Sequence, residues 1–182
     1  SILEEYADVI AVPIPELCGM NLPHRVKFDA LNAEQRQIAL FALNSSTVEF
    51  DSAMRRLKVD NKTREFGLSV LNNLTLSDSM TDIDLKLFLQ RISDDGALCC
   101  AKILWALGIC GEEVYERINK LLEVDTPRRI SQLAVGGKDL ISQGLRGEKI
   151  GRMLDKLLNL VAKGELKNEK HDLLDYVAKH KD

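Results

Sequence analysis

Few residues in this 182-residue chain have types and spacing suited to chemistry. The stretch "TDIDLKLF" places Asp82 and Asp84 in the D-x-D spacing by which many polymerases hold magnesium. On a strand both carboxylates would point the same way. This segment reads as a helix start, where positions i and i+2 diverge by roughly 200°, and acids in a first turn are accounted for by the helix macrodipole. Asp94 and Asp95 read the same way. His24 beside Arg25 lies in a loop with no His-Asp dyad to build a phosphohydrolase metal site. His171 and His180 fall on a helix carrying Leu173, Leu174 and Val177, where helix-end and surface electrostatics explain them. The cysteines Cys18, Cys99, Cys100 and Cys110 form no C-x-x-C pair and stand far in sequence from the histidines, so a zinc site is not expected. Cys99, Cys100 and Cys110 sit among Ala, Leu, Ile and Trp, as free thiols packed as small hydrophobes in a reducing compartment do. With no phosphate-binding G-x-x-x-x-G-K-[ST], no G-x-G-x-x-G after a strand and no nucleophile elbow, nothing here nominates a catalytic centre.

The charge pattern is more informative. The chain carries a net charge of −3, yet residues 138–181 hold ten Lys/Arg against seven Asp/Glu, a local +3 that leaves −6 elsewhere. Local fields matter more than totals for a partner that touches one face, so a polyanion would dock on this C-terminal quarter. Within "GLRGEKIGRMLDKLLNLVAKGELKN", the residues Ile150, Met153, Leu154, Leu157, Leu158 and Val161 follow the spacing of a buried helical face. Lys149, Arg152, Lys156 and Lys163 then fall within an arc of about 60° on the opposite side, with Asn159 beside them. The apolar ladder fixes where the cations point. From charge alone the arc is either a polyanion-binding face or an ordinary solvated one.

The elements that must position these residues read as helices almost throughout, and no segment joins strand-like alternation to hairpin turn residues. The predicted fold is all-α, a multi-helical body followed by a small helical tail. Ile2, Leu3, Tyr6, Val9 and Ile10 make a first stripe ending at Pro13 and Pro15, and residues 18–31, with Gly19 and Pro23, read as a loop. Asn32 with Gln35 resembles a capping box opening a helix through Leu43. Further helices are predicted over 47–57, 61–74, 82–92, 94–107 and 111–124, with Thr81 as a cap. Thr126 with Pro127 follows the cap-then-proline grammar of another helix start. A short helix over 138–143 ends at Gly144 in a left-handed turn; the closing helices span 148–163, ended by Gly164, and 168–180, capped by Asn168. The boundary is drawn near residue 125, giving a helical body over 1–125 and a tail domain with the basic helix over 126–182. No run approaches 18 apolar residues and the opening lacks the pattern of a signal peptide, so the expected setting is cytoplasmic, with no membrane role.

Two stretches carry a family resemblance. "VGGKDLISQGLRGEKIGRMLDKLLNLVAKGELKN" places Gly137 before Asp139, Leu140 and Ile141, then Gly144, the Gly147, Ile150, Gly151 turn, a leucine-rich helix, and Gly164, Leu166 and Asn168 as a stop. It is similar to the tail of bacterial tRNA nucleotidyltransferases, the CCA-adding enzymes of the poly(A) polymerase superfamily. "AMRRLKVDNKTREFGLSVLNNL", residues 53–74, resembles a body segment of the same family, and "ILEEYADVIAVPIPEL" the helix leading into its proline-glutamate turn. The resemblance implies a catalytic head and a nucleotide-selecting neck N-terminal to this stretch, where magnesium with CTP and ATP would act, and a helical body and tail that hold tRNA. The motifs of head and neck, and the His-Asp module of many relatives, are not in this sequence. On this reading the chain needs no cofactor of its own, while its parent is a nucleotidyltransferase.

Carried over residue by residue, the resemblance puts Lys138, Arg146, Lys149, Arg152 and Lys156 near RNA, with Lys163 on the same arc and the backbone amides at Gly147 as neutral phosphate donors. Arg55, Arg56, Lys58, Lys62 and Arg64 form a second candidate patch on the body. The implied partners are tRNA and the head of the parent chain. Rival readings are a helical protein-interaction module without RNA specificity, a DNA-binding module, and an independent enzyme, for which the sequence displays no active site.

Overall fold

Local capping chemistry decides where most of the helices begin. The computed structural model describes residues 14–17 and 26–180, and over these it contains nine α-helices and no strand. They are α1 (Ala33–Asn44), α2 (Thr47–Arg56), α3 (Asn61–Leu71), α4 (Asp82–Leu89), α5 (Asp94–Ala106), α6 (Glu112–Glu123), α7 (Gly137–Ser142), α8 (Glu148–Lys163) and α9 (Lys170–His180). Asn32 and Gln35 close the predicted capping box on α1, with Oδ1 of Asn32 accepting the Gln35 amide at 2.8 Å. Ser46 with Glu49 does the same for α2, and Thr81 with Asp84 for α4. Each box satisfies amides that the first helical turn leaves without an intrahelical acceptor. The predicted first stripe, Pro13, Cys18, Gly19, Pro23 and His24 lie outside the described residues; Pro15 opens a short 3-10 turn through Leu17.

The chain divides into two units, one of residues 1–79 and 92–119, the other of 80–91 and 120–182. In the first, Leu17, Leu40, Phe41, Phe50, Ala53 and Met54 form a buried cluster, in which the Phe41 and Phe50 rings meet edge to face at 5.1 Å. Gly67 of α3 faces the Phe50 ring so closely that a Cβ there would collide with it, which lets α2 and α3 approach. Cys99, Cys100 and Cys110 are buried, and burial pushes their thiols up to about 12, 12 and 11. Such thiols stay protonated and serve as packing atoms.

In the second unit, α8 rests on α4 and α7. Its residues Met153, Leu154, Leu157, Leu158 and Val161 join Leu133, Val135, Leu140, Leu145, Leu173 and Val177 in one core. Burying a leucine side chain stabilises by about 2 kcal/mol, so this ladder holds the helix in a single rotation about its axis. Gly144 (φ +94°) and Gly164 (φ +75°) supply the left-handed turns that end α7 and α8, as their sequence positions predict.

Three local expectations are corrected. Thr126 and Pro127 open no helix: Pro127 is buried in an irregular stretch followed by a 3-10 turn at Ile130–Gln132. There the Gln132 side chain accepts the amides of Arg128 and Arg129, and Arg129 reaches the Leu89 carbonyl at 2.8 Å. Asn168 does not cap α9, which starts at Lys170. Its Oδ1 accepts the Ala134 amide at 2.9 Å and its Nδ2 donates to the Gln132 carbonyl at 3.0 Å, tying the start of the tail to its last turn. Finally, the helix predicted over 82–92 ends at Leu89; it packs within the unit formed by residues 80–91 and 120–182.

Candidate nucleic-acid interface

The buried ladder of α8 leaves Lys149, Arg152, Lys156, Asn159 and Lys163 exposed together on the helix's other side. Arg152 pairs with Glu148 one turn earlier, at 2.9 Å between side chains that are 80% and 86% exposed. Such a pair is screened and weak, so a phosphate could displace the carboxylate. Lys156 stands with Nζ 5.3 Å from the centre of the Tyr176 ring of α9, and that ring stacks on His180 at 4.0 Å. The aromatic face orients the ammonium without neutralising it. Asp155 is exposed at one border of the arc.

The start of α8 adds a neutral component. Gly147 is its N-cap, with φ 58° and ψ −136°, and no side chain caps the turn. The first amides of a helix with no side-chain acceptor are available to an anion. Arg146, exposed, immediately precedes this turn, and Lys138 is exposed on the first turn of α7. Asp139, in the same motif, is structural: it accepts the Gly136 amide at 2.8 Å and pairs with Lys170 of α9 at 2.6 Å. Lys170, with help from that amide, holds the Asp139 carboxyl below the usual carboxylate range.

The second candidate patch has a different fate. Arg64 is buried and bonded to Asp51, which also takes Arg55 at 2.8 Å. Arg56 makes a two-pronged contact with Glu16, both distances 2.7 Å. The two arginines keep the Asp51 carboxyl low, and Arg56 does the same for Glu16. Lys58, at φ 56°, and Lys62 are exposed. Three of the five cations are thus engaged with carboxylates of their own unit.

Capping explains Asp84 of the D-x-D pair, and Asp82 lies in the first turn of the same helix. Asp84 accepts the Thr81 hydroxyl at 2.7 Å and its amide at 2.8 Å, which lowers its carboxyl. Among the described residues no group of three or more His, Cys, Asp and Glu side chains could hold a metal ion, and no helix is long and apolar enough to cross a membrane. His171 lies 3.5 Å from Asp175 on the exposed side of α9.

One feature had no signal in local spacing. Leu87, Gln90 and Arg91 at the end of α4 line a groove of about 480 Å³ with Asp155, Leu158, Asn159 and Lys163 of α8. Only the packing of α4 on α8, between residues about seventy positions apart, brings them together. Another concavity, of about 520 Å³ in the first unit, has Lys62 and Lys102 offset by Glu34 and Asp95. Its balanced charge gives a polyanion no preference for it.

The family model described as "tRNA nucleotidyltransferase domain 2 putative" matches residues 30–177. No curated protein and no solved structure matches the chain significantly. Since that match spans most of the chain and takes in both α4 and the whole of α8, this chain belongs to the tRNA nucleotidyltransferase domain 2 family.

Proposed function

We propose that this chain binds tRNA and positions its 3′ end for a catalytic head of the same parent protein, a CCA-adding enzyme that would supply the magnesium and nucleotide chemistry. The observation that carries the reading is the exposed arc of Lys149, Arg152, Lys156 and Lys163, held in one direction by the buried ladder beneath it. Cations on a rigid helix can follow a phosphate backbone without reading bases, as a protein that accepts every tRNA requires. The amides at Gly147 and the exposed Lys138 and Arg146 extend the same surface chemistry. A cytoplasmic setting fits this reading.

A titration of the chain with tRNA at two salt concentrations tests this, with equal masses of duplex DNA and single-stranded RNA as competitors. Salt-sensitive binding that tRNA alone displaces is the expected result. Equal competition by all three polymers would contradict a tRNA clamp and favour a general polyanion or protein-binding face.

A further inference from the structure

We propose that the groove between α4 and α8 is a phosphodiester-binding part of the RNA surface, in which Arg91 and Lys163 hold the backbone from opposite walls. The proposal rests on the reading of the α8 arc as RNA-facing and adds a second helix to it. Four observations converge on the groove. It continues the arc, because Asn159 and Lys163 belong to both. It carries two exposed cations, Arg91 and Lys163, against one carboxylate, Asp155. Its polar lining beyond these consists of the amides of Gln90 and Asn159, which both donate and accept. Its volume of about 480 Å³ is partly open to solvent, as a site crossed by a continuous backbone must be.

The chemistry of the lining selects a ribose-phosphate unit over a bare anion. A guanidinium offers a planar fork that matches two phosphate oxygens, and an ammonium on the other wall adds a point charge. Leu158, almost wholly buried, and Leu87 give an apolar floor for the face of a sugar. Gln90 already donates weakly to the Leu158 carbonyl at 3.4 Å, which keeps its amide at the edge of the groove. The two amides are suited to a 2′-hydroxyl, the group that distinguishes RNA from DNA. Asp155 opposes the phosphate and limits the affinity of the site.

The test compares Arg91→Gln, Arg91→Lys and Lys163→Gln with Arg152→Gln, in tRNA titrations at two salt concentrations and in thermal melts. Arg91→Gln is expected to weaken tRNA binding about tenfold at low salt and to reduce the salt slope by about one, with an unchanged melting temperature. Arg91→Lys should restore the slope but not the full affinity. Wild-type binding by Arg91→Gln and Lys163→Gln, with Arg152→Gln weakened, would remove the groove and Lys163 from the interface and leave the arc to Lys149, Arg152 and Lys156. Wild-type binding by all four would overturn the arc and the groove together. Displacement of tRNA by polyglutamate, with the same dependence on Arg91, would make the groove a site for acidic protein and overturn the proposal.

Discussion

Two arginine-bearing regions of this chain look alike in sequence and differ in what the fold does with their charge. In residues 55–64, Arg55 and Arg64 share Asp51, and Arg56 grips Glu16. In residues 146–163, the cations stand over a leucine ladder, and the carboxylate paired with Arg152 is itself solvated. The first region uses cations to hold helices in place; the second uses helices to hold cations in place. A cluster of Lys and Arg is therefore a candidate polyanion site only where the packing has not already consumed the charge.

The largest effect expected from breaking this arrangement is in the ladder. Leu157 is fully buried, and Leu157→Ala should lower stability by about 3 kcal/mol, measured by denaturant unfolding, and should weaken RNA binding although no charge is lost. Next, Arg64→Ala should cost about 2 kcal/mol, because it removes a packed, buried stem and leaves Asp51 with Arg55 as its remaining arginine partner, yet leave tRNA affinity unchanged once the protein is folded. A loss of affinity there without a loss of stability would erase the distinction between the regions.

A smaller effect concerns acid. Lys170 and the Gly136 amide lower the folded carboxyl of Asp139, so its contribution is complete above the ordinary Asp value of 3.8 and fades as pH falls through the folded value. The stability gap between the native chain and Asp139→Asn should thus be constant from neutral pH to about 5 and close below about 4, as thermal melts across pH would show. The smallest effect is at Glu148. Glu148→Gln frees Arg152 from an exposed pair and should raise tRNA affinity by at most about twofold at low salt, with no change at high salt.

Much of this design is legible in sequence where it is local. Asn32 with Gln35, Thr81 with its acids, Gly144 and Gly164 announce helix ends by their own chemistry, and the 3.6-residue period places the α8 arc opposite its ladder. What is not legible depends on distant partners. Asp51 lies thirteen residues before Arg64, and Glu16 forty before Arg56, so the neutralisation of the body patch has no spacing rule. Asn168 matches a cap by type, but its amide is drawn to backbone groups of Gln132 and Ala134. Arg91 sits at the end of a helix that reads as part of the body, and only its place in the α4–α8 groove makes it a candidate for the proposed site.

The most direct measurement is the salt dependence of tRNA affinity for two double variants, Arg152→Gln with Lys156→Gln and Arg55→Gln with Arg56→Gln, with melts to confirm folding. The account predicts that the tail pair flattens the logarithmic salt slope by up to about two units while the body pair leaves it unchanged. A flattened slope in the body pair, or an unchanged slope in the tail pair, would contradict the assignment of RNA contact to α8.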